Sequence, residues 1–296
     1  MTGLLDGWGI PVLLAGAVSY VAMATLLSRM GTFALDLPNH RSMHEMPVPR
    51  TGGWALVAGC LAALVFSPVA LPVALLLGFA LLLAVSAIDD LRHVPARFRF
   101  PVHLLAVALV LIALPQALAW WWYPLLLLGG VWMINLYNFM DGMDGLAGSM
   151  TAFGFATLGL ICAWRGHGDL AGLCALLVAG ALVFLRYNWP SASIFLGDAG
   201  STSLGLAAVA ISLHGWQQGA FGLPVPIVVF APFWLDASLT LLRRMLGGKR
   251  WWEAHREHFY QRSALRIGVR KTLYWELVAM LAVSLLALAL VTSGLA

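Results

Sequence analysis

Residues 135–148 read NLYNFMDGMDGLAG. Asn135, Asn138, Asp141 and Asp144 recur every third residue, a spacing that predicts one shared side on a helical turn. Gly142, Gly145 and Gly148 loosen the backbone between them and favour a helix end that opens onto a loop. An apolar run, 120–136, leads into this cluster and a second, 145–164, leads out of it. Two carboxylates and two carboxamides therefore stand where a membrane segment meets water. Ionisable groups in that setting cost free energy and usually mark function. A plain polar loop between hairpinned helices is the alternative, but it does not require such a ladder.

The surrounding composition agrees with a membrane setting. Of 296 residues, 61% are hydrophobic and 10% charged, where a soluble chain carries about 25% charged residues. Apolar runs of spanning length recur from end to end, so the expected fold is an all-α integral membrane protein forming one polytopic domain, residues 1–296. Ten transmembrane spans are expected, near 10–28, 53–67, 70–88, 100–118, 120–137, 145–164, 170–187, 199–214, 220–242 and 272–294. The first reads as a retained span, because no basic stretch precedes it. Cys60, Cys162 and Cys174 all lie in apolar runs and read as packing residues.

Basic residues give the orientation. With ten spans, 16 of the 17 Lys and Arg fall on one side, and Arg165 alone on the other. By the positive-inside rule the crowded side is cytoplasmic and both termini are periplasmic. Asp89, Asp90, Asp141, Asp144 and Asp198 all fall at the cytoplasmic face. A soluble substrate bearing phosphate and metal would meet that face, whereas a transported ion more often needs carboxylates near the midplane.

Four further stretches carry chemistry. The first cytoplasmic loop, 36–53, reads DLPNHRSMHEMPVPRTGG. His44 and Arg50 there suit an anionic headgroup or polyphosphate, although contact with anionic lipid would use the same charges. Asp89-Asp90 closes an apolar run, and adjacent carboxylates repel unless a cation lies beside them. Mg²⁺, held by one or two carboxylates plus substrate phosphates, is the natural partner; an acidic helix end capped by Arg92 is the plainer one. In IFLGDAGSTSLG, 194–205, Asp198 stands between glycines at the opening of a span. It suits either an N-terminal cap or a cation beside exposed amides. HREHFYQR, 255–262, lies in the longest cytoplasmic loop, 243–271, with His255 and His258 spaced to share a helix face. Hydrogen bonding to phosphate or sugar fits this pair better than zinc, which wants a third ligand. Asp236, inside span nine, should face the bundle and find a partner, with Arg243 roughly two turns away.

Taken together, the PxPRxGG loop ending at Gly53, Asp89-Asp90, NFMDGMDGLAG from Asn138, FLGDAGS from Phe195 and the histidine loop resemble a known family. It is that of the polyprenyl-phosphate N-acetylhexosamine-1-phosphate transferases, and the motifs stand in family order over nearly the whole chain. The resemblance implies a bacterial inner-membrane enzyme that passes sugar-1-phosphate from a UDP-N-acetylaminosugar to undecaprenyl phosphate, releasing UMP. It implies Mg²⁺, with Mn²⁺ as a substitute, and makes a homodimer plausible; nucleic acid is not an expected partner. By motif, Asp198 matches the principal metal ligand, and Asp89 and Asp90 match an acidic pair assigned to metal binding or acceptor activation. Asp141 joins them as a catalytic candidate. Asn138 and Asp141 match residues that shape the nucleotide and metal pocket, and Asp144 is a neighbouring matching position counted with the substrate-binding residues. His255 and His258 match a histidine motif near the sugar diphosphate. Glu257 stands where some members carry histidine, which favours the branch starting O-antigen or other surface glycans over the phospho-MurNAc-pentapeptide branch. A many-span transporter or flippase is the competing class, and it would predict midplane charges and internal repeats.

Overall fold

The fold is given by a computed structural model, which describes residues 7–38, 43, 45–250 and 255–295. His44, expected to bind substrate, lies outside the described residues, as do His40, Arg41, Trp251 and Trp252. The described residues form helices α1 (Gly9–Met30), α2 (Gly52–Leu64), α3 (Val73–Leu91), α4 (Ala96–Ala113), α5 (Tyr123–Phe139) and α6 (Leu146–Trp164). Then follow α7 (Gly168–Asn188), α8 (Gly197–Gln217), α9 (Pro224–Val229), α10 (Ala231–Leu246), α11 (Phe259–Ile267) and α12 (Val269–Thr292). A short 3₁₀ turn, Trp120–Trp122, leads into α5. The only departure from an all-α fold among the described residues is a two-residue antiparallel pairing in the first loop. It joins β1 (Leu35–Asp36) to β2 (Val48–Pro49).

Six helices, α1, α3, α4, α6, α7 and α12, are long and apolar enough to cross a membrane. Their outer faces show large apolar side chains that water would not tolerate in such number: Leu77, Ile112, Leu160, Leu182 and Leu285 are each about half exposed or more. Trp120 and Trp121 stand exposed at a helix entrance, where aromatic rings suit a membrane interface. The chain is thus a multi-pass membrane protein. Each of the other expected spans is helical too, but α2 is short, and α8 falls below the apolarity of a lipid-facing helix for a packing reason.

α8 is rich in Gly, Ala, Ser and Thr, and nearly all of it is buried against α2, α3 and α5. Small residues let backbones cross closely. A Cβ on Gly53 would overlap the backbone of Gly200, and one on Gly205 would meet the Cα of Ile134 at 2.7 Å. Because α8 touches protein rather than lipid, it needs little hydropathy. Around it, Tyr137 packs edge-on against Phe230 and Phe233 in the main core.

Three expectations are corrected. Span nine is not one helix: it breaks at Phe230 into α9 and α10, within a stretch carrying Pro224, Pro226 and Pro232. The asparagine-aspartate ladder does not share one helical side, because α5 ends at Phe139 and leaves Asp141 and Asp144 in the loop. Asn135 bonds back to the Val131 carbonyl of its own helix, at 2.7 Å. Finally, His255 and His258 do not lie on a helix; His258 is the N-cap of α11.

Candidate active site

The loop between α1 and α2 and the segment leading into α8 are laced together by backbone bonds. Phe195 N donates to Pro49 O (2.8 Å), Gly52 N to Phe195 O (2.9 Å) and Gly53 N to Leu196 O (2.8 Å). Gly197 turns the chain at φ +74°, a conformation that favours glycine, and a Cβ there would press on the Arg50 carbonyl. PxPRxGG and FLGDAGS are therefore two halves of one seam.

Asp90 closes that seam. Its carboxylate accepts from the amides of Asp198 (2.7 Å) and Ala199 (3.1 Å) and from Trp54 Nε1 (2.9 Å), while Arg50 Nη2 donates to its carbonyl (3.0 Å). The open N-terminus of α8 is thus capped by Asp90 from α3. Of the two readings offered for Asp198, the cap does not hold: the N-cap residue is Leu196, and Asp198 lies in the first turn. Trp54 is a site residue that sequence reasoning misses, because an indole in an apolar run gives no sign of a partner 36 residues away.

Asp198 is free to present its side chain. Asn138 Nδ2 donates to its Oδ1 at 2.8 Å and to Ser201 Oγ at 3.1 Å. Its Oδ2 takes the guanidinium of Arg99 at 2.6 Å, and the same nitrogen reaches Asp89 Oδ2 at 2.5 Å. Asp89 Oδ1 accepts from the Val94 amide. The cation beside the acidic pair is therefore Arg99, from the first turn of α4, rather than Arg92. Its place in LRHVPARFRF, among other basic residues, gives no local reason to single it out.

Asp141 lies partly buried beside this group. Burial, and then the negative charges of Asp198 and Asp90, push its carboxyl well above the usual range. Asp144 acts elsewhere, its Oδ2 accepting from the Ala192 amide at 2.9 Å. It also borders an open cavity of about 620 Å³, lined among others by Phe195, Pro190, Arg270 and Lys271.

The histidine loop reaches the same face through Tyr260, whose hydroxyl donates to the Phe139 carbonyl at the end of α5 (3.0 Å). Gly142 gives that hydroxyl room, since a Cβ there would collide with it. Asp236 organises the loop, accepting from the amides of Phe259 and Tyr260 (both 2.9 Å), with His258 Nδ1 at 3.1 Å. Asp236 thus finds the partner expected of a within-span carboxylate, in the histidine loop, while Arg243 faces Glu257. Glu257 is clasped by Arg244 and Lys249. The rings of His255 and His258 lie 5.0 Å apart, and burial, then the charges of His258 and Arg244, push His255 down to about 4. His255 is therefore neutral at neutral pH and able to accept as well as donate.

Among the described residues, no three His, Cys, Asp or Glu side chains form a metal cage by themselves. Mg²⁺ does not need one, since it is commonly held by one or two carboxylates with substrate phosphates and water. Asp89 and Asp198 meeting on one nitrogen, beside the Asp141 carboxyl that burial and then its neighbours' charges raise, make an oxygen-rich group with a single cation between them. That donor set fits Mg²⁺.

The family model described as glycosyl transferase family 4 matches residues 72–215. The decaprenyl-phosphate N-acetylglucosaminephosphotransferase of Mycobacterium tuberculosis is 30% identical over 328 aligned positions, covering 88% of this chain and 78% of that protein. A probable undecaprenyl-phosphate N-acetylglucosaminyl 1-phosphate transferase of Bacillus subtilis is 29% identical, with 77% of this chain and 69% of the relative covered. The undecaprenyl-phosphate alpha-N-acetylglucosaminyl 1-phosphate transferase of Escherichia coli is 28% identical, with coverage of 76% and 68%. Since the M. tuberculosis similarity runs through almost the whole chain and the motifs in it meet at one face, the chain belongs to the polyprenyl-phosphate N-acetylhexosamine-1-phosphate transferase family.

Proposed function

We propose that this protein transfers N-acetylaminosugar-1-phosphate from a UDP-sugar to a polyprenyl phosphate at the cytoplasmic face of the bacterial inner membrane. The products are polyprenyl-diphosphate-sugar and UMP. The observation that carries the reading is the meeting of Asp89 from α3, Asn138 from α5, Asp198 from the first turn of α8 and Asp141 from the loop after α5 in one acidic group, with Arg99 between Asp89 and Asp198. Ten spans with both termini outside would put that face in the cytoplasm, in line with the distribution of Lys and Arg.

In the reaction, a phosphate oxygen of the acceptor forms a bond to the sugar-bearing phosphorus of the donor. The bond from that phosphorus to the bridging oxygen breaks, and its electron pair leaves with UMP. A phosphate monoester with a second pKa of ~6 is mostly dianionic at neutral pH, so deprotonating the acceptor is a small problem and repulsion between two anions a large one. Mg²⁺ held by Asp198 and Asp89 would supply that charge neutralisation. Asn138 orients Asp198 through its 2.8 Å bond. Asp90 keeps the α8 N-terminus in place, and His255 and His258 stand ready to bond the donor. Asp144, beside the open cavity, holds the 189–193 segment at the donor's approach.

UDP-GlcNAc is the first donor to test, since the relatives' names specify N-acetylglucosamine, and surface-glycan initiation is the favoured pathway. The deciding assay is UMP release by purified protein given undecaprenyl phosphate, Mg²⁺ and a panel of UDP-sugars. Acceptor-dependent release with UDP-GlcNAc is expected. Release only with UDP-MurNAc-pentapeptide would move the protein to the other branch, and no release from folded protein with any donor would refute the reading.

A further inference from the structure

The place of Arg99 has a consequence for metal binding. One nitrogen of its guanidinium touches both Asp89 Oδ2 (2.5 Å) and Asp198 Oδ2 (2.6 Å), so the two oxygens lie within about 5 Å of each other. Mg²⁺ bound to both would sit about 2.1 Å from each, in the space that this nitrogen fills. Two cations cannot share it: the ion and the guanidinium would be a few ångströms apart with the same two counter-charges between them. Arg99 has few other attachments here. Its Nε is buried and has no hydrogen-bond partner, and the side chain is a quarter exposed, which leaves it a route out towards the open face. α4 begins just beyond Pro95, and its first turn carries Arg97 and Arg99; Arg97 lies exposed on Phe98.

We infer that Arg99 is a built-in counter-cation that competes with the divalent metal for Asp89 and Asp198, and leaves that position when the metal enters. In the metal-free protein it keeps the crowded carboxylates together. On metal entry its guanidinium is released at the mouth of the site, where the donor's diphosphate is the nearest anion of the reaction to receive it. Arg99 thereby lowers affinity for metal alone and favours metal arriving with the phosphates. This inference rests on the metal reading proposed above.

The test uses Mn²⁺ alone as the probe, with binding read by the loss of its free electron-paramagnetic-resonance signal in purified protein. Arg99→Met, which keeps the bulk but removes the charge, should bind Mn²⁺ more tightly than the wild type. The expected gain is on the order of tenfold, the scale at which one adjacent cation changes a carboxylate's affinity for a proton. Arg99→Lys should stay near the wild type. A second measurement needs no variant: phenylglyoxal labelling of Arg99 in the wild type, followed by mass spectrometry, should rise when Mn²⁺ saturates the protein, while labelling of Arg165 stays constant. Unchanged or weaker Mn²⁺ binding in Arg99→Met, or unchanged labelling, would overturn the competition but leave the metal site standing. Failure of both wild type and variant to bind Mn²⁺ at all would remove the metal reading and the inference with it.

Discussion

Asp90 holds Asp198 by its backbone and leaves its side chain alone: the carboxylate of Asp90 accepts the Asp198 amide at 2.7 Å and that of Ala199 at 3.1 Å. Neighbouring aspartates 89 and 90 therefore do different work. Asp89 points its charge at Arg99, and Asp90 spends its charge on the first turn of α8.

The division predicts opposite phenotypes. Asp90→Asn puts an amide NH₂ where an acceptor is needed and should destabilise the fold by ~1–3 kcal/mol, seen as a lower midpoint of thermal unfolding in detergent. Asp198→Asn leaves the backbone bonds intact. It should unfold near the wild-type temperature, yet lose transfer by at least ~10²-fold, the scale for removing a charge-stabilising group. Wild-type-like turnover in Asp198→Asn would remove that residue from the mechanism.

Gly53→Ala tests the seam between the first loop and α8. The added methyl meets the Gly200 backbone, which cannot rotate away as a side chain could. Overpacking of this kind costs about 1–3 kcal/mol. Gly129→Ala, with open space around it, is the matched control and should unfold like the wild type.

Asp236 holds the histidine loop from inside α10, so its loss should act on donor binding rather than on the reacting phosphates. For Asp236→Asn, KM for the UDP-sugar should rise roughly tenfold, the scale of 1–3 kcal/mol for a buried acceptor lost, with a smaller change in kcat. Asp236→Glu should recover part of the effect. A fall in kcat with KM unchanged would argue against a positioning role.

Stability of the loop should depend on Glu257 in acid. Burial works against its charge, but the hydrogen bond from Lys249 and the charge of Arg244 win and hold the carboxyl below the usual range. A depressed carboxylate stabilises the fold above its unfolded value of about 4.3 and loses that contribution as pH falls through the lower folded value. The unfolding temperature of the wild type should exceed that of Glu257→Gln at pH 7, and the difference should shrink below about pH 4. A difference independent of pH would mean that the ion pairs add nothing.

The sequence by itself carried the membrane character, the order of helices and the grouping of five motifs at one face. These follow from composition, from spacing along the chain and from the side on which Lys and Arg collect, all of which are local quantities. It also singled out Asp89, Asn138, Asp141 and Asp198, because carboxylates and carboxamides at the ends of apolar runs are expensive wherever the chain then goes.

What the tertiary structure decided is which of these groups spend their charge on one another. Asp90 and Asp198 are 108 residues apart, and nothing local distinguishes the carboxylate that caps a helix from the one left to meet a cation. Arg99 was one basic residue among many until α4 folded back beside α3, and Asp236 lacked a visible partner until the loop after α10 returned over it. The low hydropathy of α8 likewise made sense only once its neighbours proved to be protein. Each of these depends on a long-range contact, and side-chain charge acts over a few ångströms of space, however far apart the residues stand in the chain.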